Sequence, residues 1–239
     1  MRIRDAKAWA VRWLGRADLV VLVAAGVAAA AAWAFLVAAD AVTEGDFGHT
    51  DRRILLALRE PGDPADPVGP RWVEEAARDV TALGGYAVLT MLVAAVAGYQ
   101  LMTGRRHAAA LVVASAVGGT LLSTALKDLY DRPRPDLVPH LAPVSTPSFP
   151  SGHAMLSAVV YLTLGALLAR LAEGWWVRVY CAAVAVLLTL LVGASRVYLG
   201  VHYPTDVAAG WAAGLAWAVA CWLVARRLQR RGAVEGDAA

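Results

Sequence analysis

Six long apolar runs, separated by charged or turn-forming breaks, constrain this chain more than any other feature. They extend from about Leu19 to Ala39, Gly85 to Met102, Ala108 to Leu126, Ala154 to Leu171, Val177 to Ala194 and Val207 to Ala225. Each approaches the roughly 20 residues that a helix needs to cross a bilayer core. Lipid offers no partners to the backbone of an isolated strand, so helices are the expected form. Composition agrees, since 59% of the 239 residues are hydrophobic and the mean hydropathy is +0.54. The expected fold class is all-α, an integral membrane six-helix transmembrane bundle. One membrane domain covers residues 19–226, preceded by a basic arm (1–18) and followed by a tail (227–239) with the small, polar composition of a disordered segment. The apolar part of the first run exceeds the roughly 7 to 15 residues of a signal peptide, so it is expected to stay as a span.

The net charge is +3 and the pI near 9.1. The basic residues sit in short clusters beside apolar runs, which is a topology signal and excludes a nucleic-acid surface. Arg2, Arg4, Lys7, Arg12 and Arg16 precede the first run. Arg105 and Arg106 lie between the second and third, Arg170 and Arg178 flank the turn between the fourth and fifth, and Arg226, Arg227, Arg230 and Arg231 follow the sixth. With six spans these segments share one side, expected to be cytoplasmic along with both termini. Trp175 and Trp176 at a span end fit an interfacial position. The opposite side receives the long first loop, residues 40–84. There Arg52–Arg59 and Trp72–Leu83 carry apolar residues at helical spacing around the breaker Pro61-Gly62-Asp63-Pro64, which predicts two short amphipathic helices on the outer membrane face. Cys181 and Cys221 lie inside apolar runs and read as packing residues. Gly210 and Gly214 form a Gly-x-x-x-Gly pattern suited to packing between helices of one bundle.

Three segments hold polar residues that a span does not need. In Lys127-Asp128-Leu129-Tyr130-Asp131-Arg132-Pro133-Arg134-Pro135, the prolines forbid a regular helix, so Lys127 at a helix end and Arg134 in extended chain can converge. Two cations brought together at a membrane surface call for an anion, and phosphate satisfies both. Alone, Lys127 would read as a snorkelling side chain. Arg132 reads equally as a second phosphate contact or a loop charge. In Ser148-Phe149-Pro150-Ser151-Gly152-His153, Ser151 and Gly152 open a helix whose free N–H groups form an anion site, with His153 beside it. In Ser195-Arg196 through His202-Tyr203-Pro204-Thr205-Asp206, His202 and Asp206 are four residues apart. The carboxylate can fix one imidazole nitrogen and leave the other as nucleophile or base. The loops carrying these segments fall on the same side, so one site can be assembled from all three. His49, His107 and His140 lack such context and read as surface residues.

The three segments resemble the type 2 phosphatidic acid phosphatase (PAP2) superfamily of lipid phosphatases. Its pattern is Lys, six residues, Arg-Pro; then Pro-Ser-Gly-His; then Ser-Arg, five residues, His, three residues, Asp. Lys127 with Arg134-Pro135, Pro150 to His153, and Ser195-Arg196 with His202 and Asp206 match every position. The resemblance implies that His202 attacks phosphorus and forms a phosphohistidine, that Asp206 orients it, and that His153 protonates the leaving oxygen. It implies that Lys127, Arg134, Ser151, Gly152 and Arg196 hold the phosphate, with no metal and no cofactor. The expected substrate is a membrane lipid phosphate or diphosphate: a polyprenyl diphosphate such as undecaprenyl diphosphate, phosphatidylglycerol phosphate or phosphatidic acid. Family analogy favours the first. A lipid phosphotransferase with the same intermediate, and a non-catalytic lipid-binding or transport protein, are the alternatives. Vanadium haloperoxidases share the motif set but are soluble. The short, arginine- and alanine-rich chain suggests a bacterial plasma membrane, with the site extracytoplasmic. Oligomeric state is not encoded in any motif.

Overall fold

The structure is a computed structural model and describes residues 16–230, so nearly all of the basic arm and the end of the tail lie outside it. Eight helices are present among the described residues: α1 (Arg16–Glu44), α2 (Gly48–Ala57), α3 (Arg71–Ala82), α4 (Tyr86–Met102), α5 (Arg106–Tyr130), α6 (Gly152–Leu171), α7 (Trp175–Tyr198) and α8 (Pro204–Arg230). Five of them (α1, α5, α6, α7 and α8) are long and apolar enough to cross a membrane. The second span differs from the single run the sequence predicts. With 17 residues, α4 is short for a crossing, and it reaches span length only together with α3, from which it bends by 47°. The bend falls at Gly84-Gly85, where the chain leaves helical geometry. The chain is therefore a multi-pass, all-α membrane protein. At the far end, α8 continues through Arg230, into the stretch read as tail.

α6 is the centre of the bundle. It packs against both α7 and α8, while α1 lies along α8 and α5 sits between α4 and α6. Its residues are apolar on all sides, as a helix surrounded by helices requires, and Met155, Val159 and Ala158 are fully buried. Close approach of α8 to α6 depends on Gly210 and Gly214. A Cβ at Gly210 would stand 2.7 Å from the Ser151 carbonyl, and one at Gly214 2.5 Å from that of Met155. The Gly-x-x-x-Gly pattern thus serves packing within the chain. Outward-facing Leu22, Trp33, Leu121 and Val186 are exposed, as a lipid-facing surface permits. Trp175 and Trp176, at the start of α7, are strongly exposed.

The first loop is more ordered than two surface helices. α3 agrees with its sequence reading; α2 begins four residues earlier than Arg52 and ends at Ala57. Between them, β1 (Arg59–Glu60) and β2 (Asp63–Pro67) pair antiparallel, with Gly62 at φ 92° in the turn. The short hairpin escapes a reading based on helical spacing. α2 also docks on protein as well as facing outward: Leu55 is fully buried with Ala154, Val197 and Val207. Buried Arg59 donates to the carbonyls of Leu58 and Tyr198, tying the hairpin to the C-terminus of α7.

Candidate active site

The C-terminal ends of α5 and α7, the N-terminal ends of α6 and α8, and the α3–α4 bend meet at one end of the bundle. Each end is made by local sequence. Asp131 caps α5 in the left-handed conformation, φ 38°, and turns the chain into the Arg-Pro-Arg-Pro segment. Ser151 caps α6, its hydroxyl accepting from the Ala154 N–H at 3.5 Å. Gly200, at φ 71°, ends the turn after α7, and Pro204 opens α8.

His202 lies in the connection between α7 and α8 and is 1% exposed. Its Nε2 is 3.2 Å from Arg134 Nη1. A guanidinium has no lone pair to offer, so Nε2 accepts and the ring proton belongs on Nδ1. Nδ1 faces Ser148 Oγ at 3.3 Å and Asp206 Oδ2 at 3.4 Å. Ser148 in turn donates to Asp206 Oδ2 at 2.5 Å, which also accepts the Tyr203 N–H at 2.9 Å. The i, i+4 pair expected from sequence is present, with Ser148 bridging it. Burial lowers the His202 pKa from 6.5 to about 3; Asp206 opposes the fall and Arg134 and Arg196 add to it.

The cations surround the open face of this imidazole. Lys127, on the last turn of α5, donates to the Pro147 carbonyl at 2.5 Å, and its stem lies where a Cβ on Gly152 would touch it at 3.4 Å. Arg134 also donates to the carbonyls of Thr146 and Val201, both at 2.7 Å, and burial pushes its pKa down. Arg196 donates to Thr81 Oγ1 at 3.1 Å from a nearly enclosed position, while its Nε has no partner among the described residues. A buried donor left open in this way is fit for an anion. His153 stands on the first turn of α6 within electrostatic reach of Arg196, His202, Arg134 and Lys127. Its ring rests against the bend, 3.4 Å from where a Cβ on Gly84 would lie. Lys127, Arg134, Ser151, Gly152, His153, Arg196, His202 and Asp206 are thus all gathered at one site. His49, His107 and His140 are exposed.

Residues 107–230 match the PAP2 superfamily. The chain belongs to the PAP2 superfamily. Phosphatidylglycerophosphatase B of Bacillus subtilis is 32% identical over 187 residues, spanning 76% of this chain and 86% of that protein. The crystal structure of a transmembrane PAP2 type phosphatidylglycerolphosphate phosphatase from Bacillus subtilis superposes with a TM-score of 0.77 at 28% identity, covering 85% of this chain and 98% of that one. Decaprenylphosphoryl-5-phosphoribose phosphatase of Mycobacterium tuberculosis is 33% identical over 126 residues, 52% of this chain and 64% of that protein. The chain is a membrane phosphatase of the PAP2 superfamily.

In this PAP2 site, sequence reasoning misses four side chains. Ser148 lies inside a recognised segment, but its bridging bond is not visible in a linear pattern. Thr81 and Asp51 come from the first loop, where no motif marks them. Arg132 reads two ways in sequence, and its contacts decide between them. Its guanidinium pairs with Asp206 Oδ1 at 2.6 Å and with Asp51 Oδ2 at 2.9 Å, and lies 4.3 Å from the centre of the Tyr203 ring.

Proposed function

We propose that this PAP2 phosphatase removes a terminal phosphate from a membrane lipid through a phosphohistidine on His202. It does so on the extracytoplasmic side of a plasma membrane, with no metal. The observation that carries the reading is the polarity of His202: Nδ1 is backed by Ser148 and Asp206, and Nε2 faces the cationic cavity. Incoming phosphate draws Arg134 Nη1 onto its oxygens and frees the Nε2 lone pair. Nε2 then attacks phosphorus in line as the bond to the leaving oxygen breaks, and His153 delivers a proton to that oxygen. Water next attacks the phosphohistidine, His153 takes the proton, and the N–P bond breaks to release phosphate. Lys127, Arg134 and Arg196, with the Ser151 hydroxyl and the Gly152 N–H, stabilise the charge on the equatorial oxygens. They supply the electrostatics that a cation would otherwise bring. Among the described residues no three His, Cys, Asp or Glu side chains are grouped to hold a metal ion.

The lipid reading draws on the span pattern and on an apolar groove of about 580 Å³ between the first loop and α7–α8. Val73, Val80, Val197, Val207 and Trp211 line it, with Val197 next to Arg196 and Val207 next to Asp206 in the chain. A long hydrocarbon chain can lie there while the headgroup reaches the cations. The relatives' names cover a phosphatidylglycerophosphate and a decaprenyl-linked phosphate. What they share is a terminal phosphate on a lipid, and that is the substrate class proposed. The test is phosphate release by purified protein in detergent with EDTA present, from undecaprenyl diphosphate, phosphatidylglycerol phosphate and phosphatidic acid. At least one is hydrolysed, vanadate inhibits, and His202→Ala loses both turnover and an alkali-stable protein-bound phosphate. Turnover retained by that variant would overturn the nucleophile, and activity abolished by EDTA would overturn the metal-free mechanism.

A further inference from the structure

We propose that Asp51 and Arg132 form a buried relay that positions Asp206, so that α2 of the first loop sets the reactivity of His202. The relay rests on the reading of His202 as nucleophile. Asp206 has two carboxylate oxygens with different tasks. Oδ2 takes Ser148, the Tyr203 N–H and the side facing His202 Nδ1. Oδ1 is held by Arg132 Nη1 at 2.6 Å. Pinning Oδ1 prevents the carboxylate from rotating and keeps Oδ2 against the imidazole.

Arg132 is itself pinned from behind. Its Nη2 donates to Asp51 Oδ2 at 2.9 Å, its Nη1 also reaches Thr205 Oγ1 at 2.9 Å, and the Tyr203 ring covers its plane. Asp51 closes the arrangement by accepting the Thr205 N–H at 3.0 Å and the Thr205 hydroxyl at 2.5 Å, in the first turn of α8. Asp51 and Asp206 are both fully buried. A buried carboxylate is tolerated only when paired and hydrogen-bonded, and one arginine between two carboxylates meets that need for both. Burial alone would lower the Arg132 pKa, but Asp206 and Asp51 raise it on balance.

This geometry also separates Arg132 from the phosphate-facing cations. Arg132 reaches the far oxygen of Asp206 and Asp51, whereas Arg134, though also held by the Val201 carbonyl, places Nη1 against His202 Nε2, and Arg196 Nε is open. A carboxylate with an arginine on its far oxygen is a poor proton acceptor. It therefore orients the Nδ1 proton without removing it, and the imidazole keeps the tautomer whose lone pair points at substrate. Arg132 and Asp51 touch neither phosphate nor the reacting atoms; they act through Asp206.

The test compares Asp51→Asn, Arg132→Gln, Arg132→Lys and the Asp51→Asn/Arg132→Gln double variant with wild type, in detergent, with thermal midpoints recorded for each. The relay lowers kcat by roughly 10- to 100-fold in Asp51→Asn and Arg132→Gln, as loss of an orienting group does. KM and the inhibition constant of inorganic phosphate stay within about twofold, because ground-state phosphate binding is untouched. Arg132→Lys recovers part of the rate, and the double variant is no worse than Arg132→Gln, as members of one network behave. A rise in KM and in the inorganic-phosphate constant for Arg132→Gln would make it a phosphate ligand and overturn the proposal. So would unchanged kcat in Asp51→Asn, or a loss of rate that only tracks a lowered thermal midpoint. An active His202→Ala sinks the underlying reading instead, whatever these variants do.

Discussion

His202 shows how one enclosed side chain can couple chemistry to stability. Burial is the main reason its pKa falls from 6.5 to about 3. The folded protein therefore keeps the ring neutral, while the unfolded chain takes up a proton near its ordinary value. The unfolded state binds more protons between those two values, so the stability contributed by the neutral ring is complete above about pH 6.5 and is lost as pH falls below it. From about pH 7.5 to about pH 5 this amounts to about 2 kcal/mol. The wild-type thermal midpoint should fall further over that interval than the midpoint of His202→Asn. Equal falls would show that His202 does not titrate in this way.

At the scale of elements, the α3–α4 bend breaks one span and borders the site at His153. A Cβ on Gly84 would collide with Val192 and come within 3.4 Å of His153, whereas at Gly98, on the same span, a Cβ meets nothing within 4 Å. Gly84→Ala should displace the His153 ring and lower turnover on the order of tenfold. Gly98→Ala should leave turnover unchanged and raise helix stability slightly. Similar rates for both variants would mean that the bend does not position His153. Much of this architecture is legible in sequence because it is local. Lys127 ends a helix, Ser151 begins one, and Asp206 follows His202 by one turn, so short spacings carry the geometry. Asp51, Thr81 and the hairpin are not legible for the opposite reason. Asp51 meets Thr205 across 154 positions and Thr81 meets Arg196 across 115, with no periodicity linking them. Such pairings come from the way the first loop folds back over the helix ends. The bent second span is obscured as well, because an apolar run fixes composition but not whether the helix is straight.

For the molecule as a whole, the helix ends bearing the candidate catalytic groups and the arginine-rich turns lie at opposite ends of the bundle. The proposed orientation puts the former outside. In a background with Cys181 and Cys221 replaced by serine, Asp136→Cys should react with an impermeant maleimide in intact cells. Thr103→Cys, in the turn between α4 and α5, should react only after permeabilisation. The reverse pattern would invert the topology. α6 adds a consequence through its length. Its 20 residues measure about 30 Å, the thickness of a hydrocarbon core, with His153 in its first turn and Trp175-Trp176 just beyond its last. Tryptophans anchored at one interface then fix His153 at the other, level with the lipid headgroups. A substrate held in the leaflet would find it by a two-dimensional search, and turnover would follow the lipid's mole fraction in the surface instead of its amount per volume of water.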